Sequence, residues 1–191
     1  MTRGRSRLRR GLLGLGLALV LVVGVGYAAV RVTPPNLTSA GPTSVTGTAA
    51  SATFTIADRQ IRQVRYRDRA TLDYVFRLTN GEPWPVTVTG IDPAQKGSRL
   101  FGYAGLEDAD GGRRITVPAR GSREAHLLLR MGGCESLSAR AGSFASSVLV
   151  RTERMGIPSG SVRVRLPEEV HTGSPREAFC PNSTAKSRPA G

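Results

Sequence analysis

The chain has 191 residues and a formal net charge of +13, from 27 Lys or Arg against 14 Asp or Glu. It holds two histidines and two cysteines, too few ligands for a zinc cluster, and the cysteines lack the C-x-x-C spacing of a redox-active pair. A single folded domain with a real core is what this length allows once a tether is subtracted.

The tether is at the N-terminus. Arg3, Arg5, Arg7, Arg9 and Arg10 precede residues 11–30, GLLGLGLALVLVVGVGYAAV, which carry no charge. At helical rise this run spans roughly 30 Å, the thickness of a bilayer's hydrocarbon core. Its glycines disfavour a helix in water and are tolerated in lipid. The sequence therefore predicts a basic cytoplasmic segment over 1–10 and a transmembrane signal anchor over 11–30, with the rest of the chain outside. A cleaved signal peptide would have a shorter apolar region and an A-x-A-like site, which Tyr27-Ala28-Ala29 matches poorly. The expected location is the cell membrane, single-pass, with the C-terminal domain extracytoplasmic. Nucleic acid is the usual partner of so basic a chain, and this topology sets it aside. The expected partners are the bilayer itself and an anionic envelope polymer, lipid headgroups or another envelope protein.

Residues 31–50 are rich in Pro, Thr, Ser, Gly and Ala without an apolar period, which predicts a flexible linker. From residue 51 the period becomes two. Phe54 and Ile56 alternate with threonines, and Ile61 to Tyr66 is a second extended run. Thr71 to Thr79 alternates most strictly, with Leu72, Tyr74, Phe76 and Leu78 on one face, as in a half-buried antiparallel strand. Asn80-Gly81 reads as a tight turn with positive φ, and Val86 to Thr89 as the return strand. Leu100 to Leu106, Ile115 to Val117, Glu124 to Met131, Phe144 to Thr152 and Ser161 to Leu166 follow as short strands. The last two are joined by a turn around residues 156–160. Pro167 closes the last strand, residues 168–179 read as a loop, and 181–191 as a disordered tail. Seven to nine strands with regular turn signals and no amphipathic helix outside the membrane predict an all-β antiparallel sandwich over residues 51–180.

Cys134 and Cys180 lie in the expected outer part. An oxidising compartment and an even count predict one disulfide between them.

The segment Leu72-Asp73-Tyr74-Val75-Phe76-Arg77-Leu78-Thr79-Asn80-Gly81, then Pro85-Val86-Thr87-Val88-Thr89-Gly90, resembles the core hairpin of immunoglobulin-like modules. Those modules occur in uncharacterised secreted and membrane-anchored actinobacterial proteins. Val117 to Ser122 and Cys134-Glu135-Ser136-Leu137 extend the likeness to about residue 180. It implies an immunoglobulin-like fold and says almost nothing about activity. The Cys…Trp…Cys spacing of antibody domains is missing, since Trp84 falls in a turn.

Chemistry is thinly signalled. His126 reads as a surface or edge histidine and His171 as a loop residue; serines are too frequent for spacing to single out a nucleophile. Glu107, Asp108 and Asp110 before two glycines read as a solvated turn, because the later ligands of a calcium loop are missing. No catalytic residue, metal ligand or cofactor is expected. The most suggestive group is Arg59, Arg62, Arg65, Arg67 and Arg69. It reads as an edge-protecting strand or, more sharply, as a docking strip for an anionic surface. The functional expectation is a non-catalytic, membrane-tethered interaction module of the cell envelope. A ligand- or metal-binding accessory or sensor subunit is the alternative, and a secreted hydrolase a weaker one.

Overall fold

The structure is a computed structural model that describes residues 19–22, 24–28, 30–31, 33–48, 50–66, 69–98, 100–132 and 142–172. Cys134 and Cys180, Arg67, the tail after residue 180 and residues 1–18 lie outside the described residues. Helical residues fall between 19 and 31. Among the described residues no helix is long and apolar enough to cross a membrane; positions 11–18 of the expected span lie outside them.

Ten strands follow: β1 (Leu37–Thr46), β2 (Ala50–Ile56), β3 (Arg59–Arg65), β4 (Thr71–Asn80), β5 (Val86–Ile91), β6 (Phe101–Glu107), β7 (Ile115–Val117), β8 (Ser122–Met131), β9 (Phe144–Arg154) and β10 (Ile157–His171). They build two sheets, one in the order β1-β4-β8-β6 and one in the order β2-β3-β10-β9-β5-β7. The expected β-sandwich is present, with a core between the sheets. Leu72, Tyr74, Phe76 and Leu78 of β4 and Ala125, Leu127 and Leu129 of β8 face Val86, Val88, Val148, Val150 and Val164 across it. The four inward residues of β4 are those picked out by its alternation, because a period of two puts one whole set on one face.

Four expectations are corrected. Among the described residues there are ten strands rather than seven to nine, and the sandwich is not wholly antiparallel, since β10 pairs with β3 in parallel over Glu169–His171. The linker expected over 31–50 contains β1, which pairs with β4 and buries Leu37. Its composition disguised it, because an edge strand needs only one face of modest apolarity, and Pro42 falls at a break in the register. The chain leaves β1 through Gly47, whose φ is +74°, and where a Cβ would stand 2.2 Å from the carbonyl oxygen of Thr71; only glycine fits there. The supposed loop after Pro167 is the end of β10, which runs through two prolines. Pro158 and Pro167 both lie in stretches where the register with β9 shifts, and such irregularities need no donor from the proline. The β9–β10 hairpin turns tightly on Met155 and Gly156, with φ of 50° and 77°.

Asn80 also departs from expectation. It is a buried strand residue, not half of a positive-φ turn, and β4 and β5 belong to different sheets. Its side-chain amide donates to the carbonyls of Trp84 (2.9 Å), Val117 (3.3 Å) and Pro118 (3.1 Å). Its Oδ1 accepts from the Glu82 N–H at 2.9 Å. One side chain thus fixes the crossing between the sheets to the β7–β8 turn. Asn80→Ala orphans these groups and should cost roughly 3 kcal/mol by urea denaturation, about the worth of several buried hydrogen bonds.

Candidate functional site

Two of the residues singled out by sequence, Arg59 and Arg62, lie at one corner of the sandwich, where the edges β1 and β2–β3 meet β10. Arg59 and Arg62 stand on β3 with opposite fates. Arg59 points outward and pairs with Glu169 of β10 through two guanidinium–carboxylate bonds, one of them 2.9 Å long. The bond to Arg59 holds the Glu169 carboxyl below the ordinary glutamate range, and Glu169 in turn raises Arg59. Arg62 points inward, sharing its face with buried Val170 and lying largely out of solvent. It meets Glu168 at 2.5 Å and Thr43 of β1 at 3.1 Å, so one ion pair bridges the two sheets. The hydroxyl of Tyr74 is buried nearby. Burial first, and then the Glu168 charge, push that phenol far above its usual range. Arg65 is exposed at the end of β3, and Arg69 is exposed in a turn with φ of 60°. Arg59 and Arg62 thus leave β3 on opposite faces, each meeting a glutamate of β10; Arg67 lies outside the described residues.

Around Arg59 opens a cleft of about 490 Å³, lined by Ser39, Asp58, Arg59, Arg163, Arg165 and Glu169 among others. Arg163 and Arg165 were not singled out from sequence. The signal was available: they occupy the outward positions of an alternating strand whose Val164 and Leu166 are buried. Beside the cleft, Phe144 is exposed and stacks on His171 with ring centroids 4.4 Å apart, and the Arg59 guanidinium lies 5.7 Å from the Phe144 ring. His171 is thus a strand residue on the outer face rather than a loop residue.

The outermost strand of this sheet is β2. It has no buried residue, and Phe54 and Ile56 are exposed. Its sequence, ASATFTI, contains no charge and no proline. Edge strands are normally blunted by just those features.

His126 lies on the outer face of the other sheet, half-buried between carboxylates. Its Nδ1 is 2.9 Å from Asp73 and its Nε2 is 3.4 Å from Glu124. Both ring nitrogens thus face carboxylates. Asp108 makes the turn expected of it, its carboxylate accepting from the N–H groups of Asp110 and Gly112. Among the described residues no cluster of three or more His, Cys, Asp or Glu could hold a metal ion.

No family model matches the chain, and no curated protein matches it. Among solved structures, it is similar to the cupredoxin domain of amoB from Nitrosocaldus yellowstonii, at 11% identity and a TM-score of 0.26, covering 63% of this chain and 65% of that one. An overlap so partial says nothing about ligand or activity.

Two outcomes test these pairs. Arg62→Ala leaves Glu168 without its cation between the sheets and should cost about 3 kcal/mol, whereas Arg62→Met with Glu168→Leu should recover most of it. Urea titration of the three proteins checks this. At His126, burial pulls the imidazolium down, but the bonds to Asp73 and Glu124 outweigh it and leave the pKa raised. Its stabilisation is therefore full below about pH 6.5, the unfolded value, and fades as pH rises through the folded one. Thermal melts across that window should show this component in the native chain and lose it in His126→Gln.

Proposed function

We propose that the protein is a non-catalytic, membrane-tethered module that presents an open strand edge to another protein of the cell envelope. The observation that carries this reading is β2. Seven residues of β-forming sequence lie exposed on both faces, with neither charge nor proline to deter pairing. An extended segment of a partner can add to such an edge, main-chain hydrogen bonds giving affinity and contacts to alternate side chains giving selectivity. Phe54 and Ile56 lie on one face of β2 and are the natural apolar contacts for that segment.

The tether is supported by the helix. Leu19, Val20, Leu21 and Val22 are successive residues, so they point in all directions around its axis, and each is at least 60% exposed. A helical turn that is apolar all round, and that the sandwich leaves uncovered, suits lipid. Together with the uncharged run from residue 11 and the arginines before it, this favours a signal anchor with the sandwich outside. An immunoglobulin-like kinship and a Cys134–Cys180 bridge fit the same extracytoplasmic reading.

A photo-crosslinking residue in place of Thr55, introduced into the full chain in intact cells, tests the role of the edge. A discrete crosslinked species should form, and Phe54→Lys with Ile56→Lys should abolish it, because charge on an edge strand blocks pairing. A crosslink that persists in the double variant would exclude β2 as the docking edge.

A further inference from the structure

The opposite end of the sandwich carries a second exposed apolar surface with a different character. It is built from two turns. Trp84, 40% exposed, comes from the β4–β5 crossing, and Met155, 72% exposed, from the tip of the β9–β10 hairpin. With Ile157 they line a hollow of about 570 Å³ whose remaining walls include Gly26, Tyr27 and Val30 of the N-terminal helix. The apolar surface of the helix and that of the sandwich are thus continuous.

A single arginine holds the two together. Arg154 follows Val148, Val150 and Thr152 in the inward set of β9 and is 3% exposed. Its guanidinium donates to the carbonyls of Val30 at 3.3 Å and Thr33 at 2.7 Å, and to the Glu82 carboxylate at 3.1 Å. Carbonyls at a helix C-terminus lack intrahelical partners and carry the negative end of the helix dipole. Arg154 satisfies both needs from inside the domain. Glu82 balances the charge and also accepts from the Asn36 N–H at 3.1 Å, one residue before β1. The connection between helix and sandwich is therefore a short, hydrogen-bonded strap.

We propose that Trp84, Met155 and Ile157 sit in the headgroup–acyl boundary of the same bilayer that the helix enters, with Arg154 fixing that pose. The inference rests on the tethered reading of the preceding section and adds a docked orientation to it. A bilayer is the occupant that the surroundings favour. Tyr27 and Trp84, amphipathic aromatics of the kind that forms an interfacial belt, line the same hollow. Arg31, whose guanidinium covers the Tyr27 ring at 4.9 Å, and exposed Arg120, whose N–H donates to the Glu82 carbonyl at 2.9 Å, flank the apolar surface. Cations around an apolar patch match anionic headgroups around acyl chains.

Trp84 is the only tryptophan in the chain, so its fluorescence reports this end alone. The test reconstitutes the full chain into vesicles of mixed zwitterionic and anionic phospholipid, with and without acyl chains brominated near the headgroup, and follows flotation in parallel. The expected result is co-flotation, emission shifted to shorter wavelength, and quenching by the brominated lipid. Met155→Glu alters an exposed side chain and should leave flotation intact while removing most of the quenching. Arg154→Met should do the same by releasing the strap. Flotation with Trp84 open to aqueous iodide and untouched by bromine would overturn the docked pose and leave the tether standing. Failure to float would overturn both.

Discussion

The architecture turns on the way β10 changes partners. For most of its fifteen residues it lies antiparallel beside β9, as a hairpin strand must. Beyond Arg165 its register slips, and over Glu169–His171 it also takes β3 in parallel. That handover attaches the β2–β3 hairpin to a sandwich it would otherwise leave. It also sets Glu168 inward and Glu169 outward, and each meets an arginine of β3 on its own side. The inner pair, Arg62 with Glu168, reaches Thr43 of the other sheet. Burying two charges is costly, and the expense is offset only when the geometry is good and the remaining donors are satisfied. Such a pair contributes little net stability but strongly disfavours a slipped register, since a one-residue shift would put an unpaired charge in the core.

Arg154 obeys the same logic at the other end. A cation at an inward position is tolerable only where acceptors converge on it. Here they are a glutamate and two carbonyls of the segment leaving the helix. The core thus ends in a polar clamp rather than an apolar plug, and the clamp orders the chain on its way to β1. With Asn80 holding the neighbouring crossing, the turns that carry Trp84 and Met155 are rigidly placed.

The parts of the fold legible in the sequence were those where one face alone is buried. The alternation in β4 identified all four of its core residues, and the bounds of β7 could be read directly. Where the pattern failed, backbone irregularity was the cause. Pro42, Pro158 and Pro167 look like strand breakers, yet each sits where the ladder is already interrupted. Asn80-Gly81 looks like a hairpin turn, yet the asparagine is used for its amide rather than for its φ. The arginines are visible as a group in the sequence, but their pairing is not, because Glu168 and Glu169 are more than a hundred residues away and follow a proline that reads as a strand end. Arg154 carries a sequence signal of its own: a charge that continues the inward alternation of β9 needs a buried partner.

The two apolar surfaces are coupled through the length of β10. Its first residue, Ile157, belongs to the end that faces the helix, and Glu169, twelve positions on, lies beside β3. Because β10 bulges twice, the same span takes only the nine steps of β9 from Arg154 to Ala145, roughly 30 Å. The tip of the β2–β3 hairpin lies nearer the helix than this, since Asp58 and Arg59 share their cleft with Leu37, one residue after the Asn36 whose N–H donates to Glu82. A domain on a loose tether would sweep β2 through all orientations, including contact with lipid, where an uncharged strand edge is easily lost to non-productive association. In the proposed docked pose, a domain clamped by Arg154 and seated on Trp84 and Met155 would hold that edge in one orientation to the bilayer. The strap shortens the reach of the module but pre-organises it, and an edge held in one orientation loses less rotational freedom when a partner strand adds to it.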